Sequence, residues 1–278
     1  PLEDAIEIRN ISDTEINVGG WLLGDTPSGA TRFEIPADTK IAPGGYAVFY
    51  EGSFNAVGTG FSLNSAHGDT VYLTATDADG NPTGYRVVQP VPPTANGVSV
   101  GRVSTSQGWK FAALTRRTFG SDLPVTVQQF RTGEGAGNSS ALVGPVVISE
   151  IQYEGAPVVA GLGQVQLEYI ELRNISNRTV PLYHPQEQHN RWRLAGGVNM
   201  TLPGEPSLRA DGYLLLVGFD PVAEPAIASR FIEHYDVPDD VPLVGPFDGR
   251  LSNGGETVSL LSPDNTQGID QEDAGYVP

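Results

Sequence analysis

Three groups of residues in this chain of 278 have side chains that could do chemistry. Asp77, Asp79 and Asn81 stand at alternate positions around Gly80, an order in which oxygen ligands can wrap a hard cation such as calcium. The pattern has no distal bidentate glutamate, and these residue types are also what a hairpin demands, so it reads as a turn. Glu7 and Glu171 hold the same place in two copies of one segment, Ile6-Glu7-Ile8-Arg9-Asn10-Ile11-Ser12 and Ile170-Glu171-Leu172-Arg173-Asn174-Ile175-Ser176. A pair of carboxylates can work as general acid and base, but these would have to meet face to face from strands of separate modules, and no flanking motif supports that. They read as scaffold, pairing with Arg9 and Arg173 or with a neighbouring strand. Of the four histidines, His67 and His234 are remote. His184 and His189 are five apart with no third ligand nearby, which reads as a surface loop rather than a zinc site. No nucleophile elbow, phosphate-binding glycine loop or zincin motif occurs, and the absence of cysteine removes thiolate chemistry and disulfides. No catalytic, cofactor-binding or metal-binding residue is assigned, and a noncatalytic role is expected.

The elements that would position these residues recur in order. After the signature, the first copy continues to Gly20-Trp21-Leu22-Leu23, Pro43-Gly44-Gly45-Tyr46 and Gly68-Asp69-Thr70-Val71. The second continues to Arg191-Trp192-Arg193-Leu194, Ala210-Asp211-Gly212-Tyr213 and Gly255-Glu256-Thr257-Val258. The spacing between copies grows along the chain, so the second carries insertions between its strands. With 34 glycines and 22 prolines punctuating short apolar runs, the pattern is that of many strands joined by turns. Tyr46 to Tyr50 is a continuous apolar run and reads as a central strand. Thr70–Thr74 and Gly84–Val88 read as hairpin arms joined through Asp77–Asn81. One helix is expected over Ala226–Tyr235, where Ile227, Phe231 and Tyr235 fall four apart on one face.

Charge narrows the partners. The chain has a formal net charge of −17, with 8 basic and 13 acidic residues in 1–122 and 7 basic and 19 acidic in 144–278. Nucleic acid needs clustered lysine and arginine on a phosphate backbone, so it is not an expected partner. No apolar run reaches the 18 residues of a membrane-spanning helix, so no membrane insertion is expected. Gly133-Glu134-Gly135-Ala136-Gly137-Asn138-Ser139-Ser140 has the composition of a flexible hinge.

The order of these blocks, from the Ile-Glu-(Ile/Leu)-Arg-Asn strand and turn through the Trp strand to Gly-(Asp/Glu)-Thr-Val, resembles the lamin tail domain family in both halves. The resemblance implies an all-β chain of two tandem immunoglobulin-like β-sandwiches, residues 1–122 and 144–278, joined by a flexible linker at 123–143. It also implies that the first copy lacks an initial strand like Val146–Ile151, and that the second lacks closing strands like Gly97–Arg102 and Trp109–Phe111. Open sheet edges would then permit edge-strand self-association. The chain resembles the bacterial members, which occur as modules of large secreted or surface proteins, so its expected place is extracellular or on the cell surface. The expected function is a structural or interaction module that binds a protein or surface partner, through loops such as Leu182–Asn190 and Glu224–Val244. The alternative is a carbohydrate- or calcium-binding accessory to an attached hydrolase. A sugar platform needs exposed flat aromatics; Trp21 and Trp192 fall in strand cores, leaving Trp109, Tyr183 and Tyr235.

Overall fold

The computed structural model describes residues 3–28, 32–56, 60–121, 123–154, 161–205, 207–264 and 276–277. It divides into two compact units, Pro1–Leu142 and Val143–Pro278. Strands dominate both.

The first unit runs β1 (Ala5–Arg9), β2 (Ile16–Asn17), β3 (Leu22–Gly24), β4 (Phe33–Glu34), β5 (Lys40–Ile41), β6 (Tyr46–Tyr50), a single helical turn α1 (Glu51–Phe54), β7 (Asp69–Thr76), β8 (Pro82–Val91), β9 (Val100–Thr105), β10 (Gly108–Ala113) and a second turn α2 (Val127–Phe130). One sheet has the order β4-β3-β7-β8; β1 pairs with β6, β2 with β5, and β9 with β10. Strand periodicity makes the core: Ile6, Ile8, Ala47 and Phe49 from the β1–β6 pair meet Leu23, Phe33, Val71, Leu73 and Val87 of the larger sheet. Among the described residues β6 has one strand neighbour, β1, and is not the central strand its apolar run predicts. Its run is apolar because both of its faces are covered, one by this core and the other by residues 118–121 and 123–137.

The second unit runs β11 (Val146–Gln152), a 3-10 turn (Val165–Leu167), β12 (Tyr169–Asn174), β13 (Arg193–Gly196), β14 (Val198–Thr201), β15 (Tyr213–Val217), α3 (Pro225–Tyr235), β16 (Leu243–Val244), β17 (Asp248–Gly249), β18 (Val258–Pro263) and β19 (Tyr276–Val277). Its two sheets have the orders β11-β12-β15-β16 and β17-β14-β13-β18-β19. Ile170, Leu172, Leu214 and Leu216 of the first face Leu194, Val198, Val258 and Leu260 of the second across one core. The helix expected over Ala226–Tyr235 is α3, started by Pro225 in its first turn and stopped at Asp236, which adopts φ +49°. Ile227, Phe231 and Tyr235 face inward as their spacing predicts.

Residues 123–142, expected as part of a linker, belong to the first unit. Phe130 is buried, Leu142 N–H donates to Ala113 O, and Leu114 bridges Ala141. Glycine and serine content marked this stretch as a hinge, yet its glycines serve close approach: Gly135, at φ +86°, has no room for a Cβ, which would lie 2.6 Å from both Glu7 Oε2 and Tyr46 Cβ.

Candidate functional site

The core-facing residues and the asparagine and serine of the repeated signature have the same structural tasks in the two units. Ile6 and Ile8 in one, Ile170 and Leu172 in the other, enter the core. Asn10 and Asn174 are 4% and 0% exposed. The Asn10 amide donates to Thr14 O and Ile41 O, and the Asn174 amide to Arg178 O, Leu208 O and Arg209 O. Each side-chain oxygen accepts from the backbone N–H and hydroxyl of the serine two residues on, Ser12 or Ser176. This is an Asx turn whose other end pins the opposite strand. The backbone repeats too, with Asn10 N–H donating to Gly45 O and Asn174 N–H to Gly212 O. The left-handed position before each acceptor is Gly44 at φ +70° and Asp211 at φ +54°. Isoleucines 11 and 175 point to solvent.

Glu7 and Glu171 occupy the outer faces of their sheets. Neither forms the ion pair with the arginine two residues on that the sequence suggested: Arg9 and Arg173 share that outer face but turn to the aromatic ring opposite them across the ladder. The guanidinium of Arg9 lies 5.5 Å from the Tyr46 ring centre and that of Arg173 5.3 Å from Tyr213. Glu171 accepts from Ser149 Oγ at 2.7 Å on the neighbouring strand β11. Glu7 lies under a strap formed by residues 118–121 and 123–137 and accepts from Thr118 Oγ1 and the Ala136 N–H. The strap is fastened at two further points. Phe119 and Phe130 stack edge-on against Tyr50 with ring centres 6.0 and 5.8 Å away, and Arg131 forms a two-pronged ion pair with Glu3. That pair holds the Glu3 carboxyl below its ordinary value.

Burial beneath the strap raises the Glu7 carboxyl above its ordinary value, against the opposing hydrogen bonds from Ala136 and Thr118. A raised folded-state value means that the folded chain takes up this proton before the unfolded chain does. Stability therefore increases as pH falls through the folded value towards the unfolded one near 4.5, and is lowest with Glu7 ionised. Glu7→Gln keeps an oxygen acceptor without the buried charge. The variant is expected to have a higher denaturation midpoint than the parent at neutral pH, with the advantage shrinking towards pH ~4. A lower midpoint at neutral pH would show that the charge itself holds the strap.

In the second unit the corresponding outer face is covered by α3. Tyr169, Leu215 and Val217 pack under Phe231, with Tyr169 5.1 Å from Tyr235 and 6.0 Å from Phe231 between ring centres. Burial, followed by its hydrogen bond to Glu150, pushes the Tyr169 phenol well up. Glu168 is fully buried and accepts from Leu251 N–H at 2.9 Å and Arg250 Nε at 3.3 Å. Sequence reading passed over this carboxylate, since its partners lie 82 and 83 residues away; its place beside the signature was the only signal.

The remaining candidates are also engaged in structure. The Asp77 carboxylate accepts from the backbones of Asp79 and Asn81 inside the β7–β8 hairpin, as a turn residue does, and these bonds hold it below its ordinary value. Among the described residues no cluster of three metal-ligating side chains occurs. His184 is not on the surface as expected: it is buried, and its Nδ1 accepts from the Glu187 N–H, closing the Tyr183–Asn190 loop on itself. His189 is exposed and apart from it. Of the aromatics considered as a platform, Tyr235 donates to Leu167 O within the core and Tyr183 is half-buried, whereas Trp109 is 69% exposed. Trp192 is buried and Trp21 half-buried against Tyr85.

No described helix is long and apolar enough to cross a membrane. No curated protein and no solved structure matches the chain. Residues 2–88, the part of the first unit running from the signature strand into β8, match the family model of the Lamin Tail Domain, an immunoglobulin-like interaction module.

Proposed function

We propose that this chain is a noncatalytic structural and interaction segment of a larger exported bacterial protein, and that residues 143–278 form a second, tandem lamin tail-like module. The carrying observation is the use made of the repeated carboxylates: Glu7 and Glu171 accept hydrogen bonds from Thr118, Ala136 and Ser149 of their own units, which is scaffold work. The tandem reading is supported by Asn10 and Asn174, which make the same turn and clasp the opposite strand in the same way. The acidic composition suits solubility outside the cell.

Fractionation of cells that express the intact gene tests the export, with the chain expected in the medium or envelope. Recovery wholly in the cytoplasm overturns it. Turnover of an ester, phosphate or glycoside substrate by the purified chain would overturn the noncatalytic reading.

A further inference from the structure

The two units treat the same sheet edge differently. In β12, Ile170, Leu172 and Asn174 bond towards β15, in step with the Asn174 N–H donating to Gly212 O, while Tyr169, Glu171 and Arg173 bond towards β11, in step with the Ile175 N–H donating to Pro145 O. The same alternation holds in β1. The Glu51 N–H donates to Asp4 O and the Asn10 N–H to Gly45 O, so Asp4, Ile6, Ile8 and Asn10 bond towards β6 and its flanks, and the N–H and C=O groups of Ala5, Glu7 and Arg9 point the other way. Among the described residues no strand pairs with β1 on that side and no hydrogen bond is made to those groups.

The core records the difference. Val146 and Ile148 of β11 pack with Ile170 and Leu172, which are 0% exposed. Ile6 and Ile8, their counterparts in β1, stay partly exposed. The strap does not replace a strand, because it lies on the outer face: Thr118 and Ala136 reach the Glu7 carboxylate, and Phe119 and Phe130 reach Tyr50 on β6. Nor is the edge blunted, since β1 keeps its register from Ala5 to Arg9 with no bulge and no proline.

We infer that this edge of β1 accepts an extended segment of another polypeptide, added antiparallel as β11 is added to β12, with β-branched residues at alternate positions beside Ile6 and Ile8. The inference rests on the tandem and interaction-module readings above and gives the partner its chemistry, which β11 displays on the equivalent edge. A second copy is a poor donor, because its own β11 is held by β12 and the bulge between Ile148 and Glu150 interrupts that strand's free edge.

Amide hydrogen exchange on the full chain decides it, with a synthetic peptide of residues 144–153 as the probe. At about 1 mM peptide, exchange at Ala5, Glu7 and Arg9 is expected to slow about tenfold, as a Kd of about 100 μM gives, while Tyr169, Glu171 and Arg173 stay unchanged. N-methylation of the peptide at Val147 and Gln152, whose N–H groups face the partner strand in β11, should abolish the effect. N-methylation at Ile148 and Ile151, whose N–H groups face away, should leave it. Unchanged exchange in β1 overturns the inference, as does binding that survives methylation at Val147 and Gln152. Peptide that acts on β12 and not on β1 also overturns it. So does protection of Ala5, Glu7 and Arg9 that grows with chain concentration in the absence of peptide, which would give the edge to a second copy. These readouts are independent of the fractionation and turnover tests, so failure of the edge and failure of the parent reading are told apart.

Discussion

Asn174→Ala lowers the unfolding free energy by about 3 kcal/mol, the upper end of what stranded buried polar groups cost. The amide of Asn174 has two hydrogens shared among three carbonyls, those of Arg178, Leu208 and Arg209, at 2.7 to 2.9 Å, and the residue has no exposed surface. Alanine leaves these acceptors short of donors where water does not reach, and releases Ser176 from both of its bonds to Oδ1. Asn10→Ala should cost less, about 2 kcal/mol, because Asn10 clasps two carbonyls rather than three. Asn174→Asp should be worse than alanine, since it turns acceptor lone pairs towards those carbonyls. Urea unfolding followed by tryptophan fluorescence measures all three. A loss at Asn174 within the ~0.5 kcal/mol typical of surface changes would show that the turn does not hold the opposite strand.

Phe231→Ala is expected to cost about 4 kcal/mol, the usual range for emptying a fully buried aromatic site. The ring is 0% exposed and packs against Tyr169, Phe219 and Tyr235, so its loss opens a cavity between α3 and the β12–β15 face. Phe130→Ala removes the comparable anchor of the first unit, where the ring meets Tyr50 and Phe119, and should cost about 3 kcal/mol. The two variants differ in one readout. Phe130 holds the strap whose burial raises the Glu7 carboxyl, so Phe130→Ala should return that group towards its ordinary value in a carboxyl-carbon NMR titration. An unchanged titration in a folded Phe130→Ala chain would show that the strap stays closed without its aromatic anchor.

The sequence carried what short-range physics fixes. The Asn-Ile-Ser turn was legible because the asparagine bonds residues two positions away, and the Asp77–Asn81 hairpin for the same reason. The helix at Pro225–Tyr235 was legible because one buried stripe repeats every four residues. Ile6 and Ile8 could be assigned to the core by strand alternation alone.

Other features depended on which distant segment covers an exposed face. Residues 133–140 have the composition of a hinge, yet Gly135 and Gly137 lie over Glu7 and Tyr46, because Phe119 and Phe130 just before them in the chain find Tyr50. An apolar run such as Tyr46–Tyr50 reports that both faces are dry, but not whether strands, a helix or a strap keep them so. Glu7 and Arg9 carry opposite charges on one strand face, yet the ring across the ladder takes Arg9 and the strap takes Glu7. By itself the sequence determined the repeated strand-and-turn unit and its core-facing residues, since these rest on contacts within a few positions and on periodicity. Only the tertiary structure decided that the outer faces are closed by a strap in one unit and a helix in the other, because contacts such as Tyr235–Leu167, 68 positions apart, and Glu7–Thr118, 111 apart, leave no period to read.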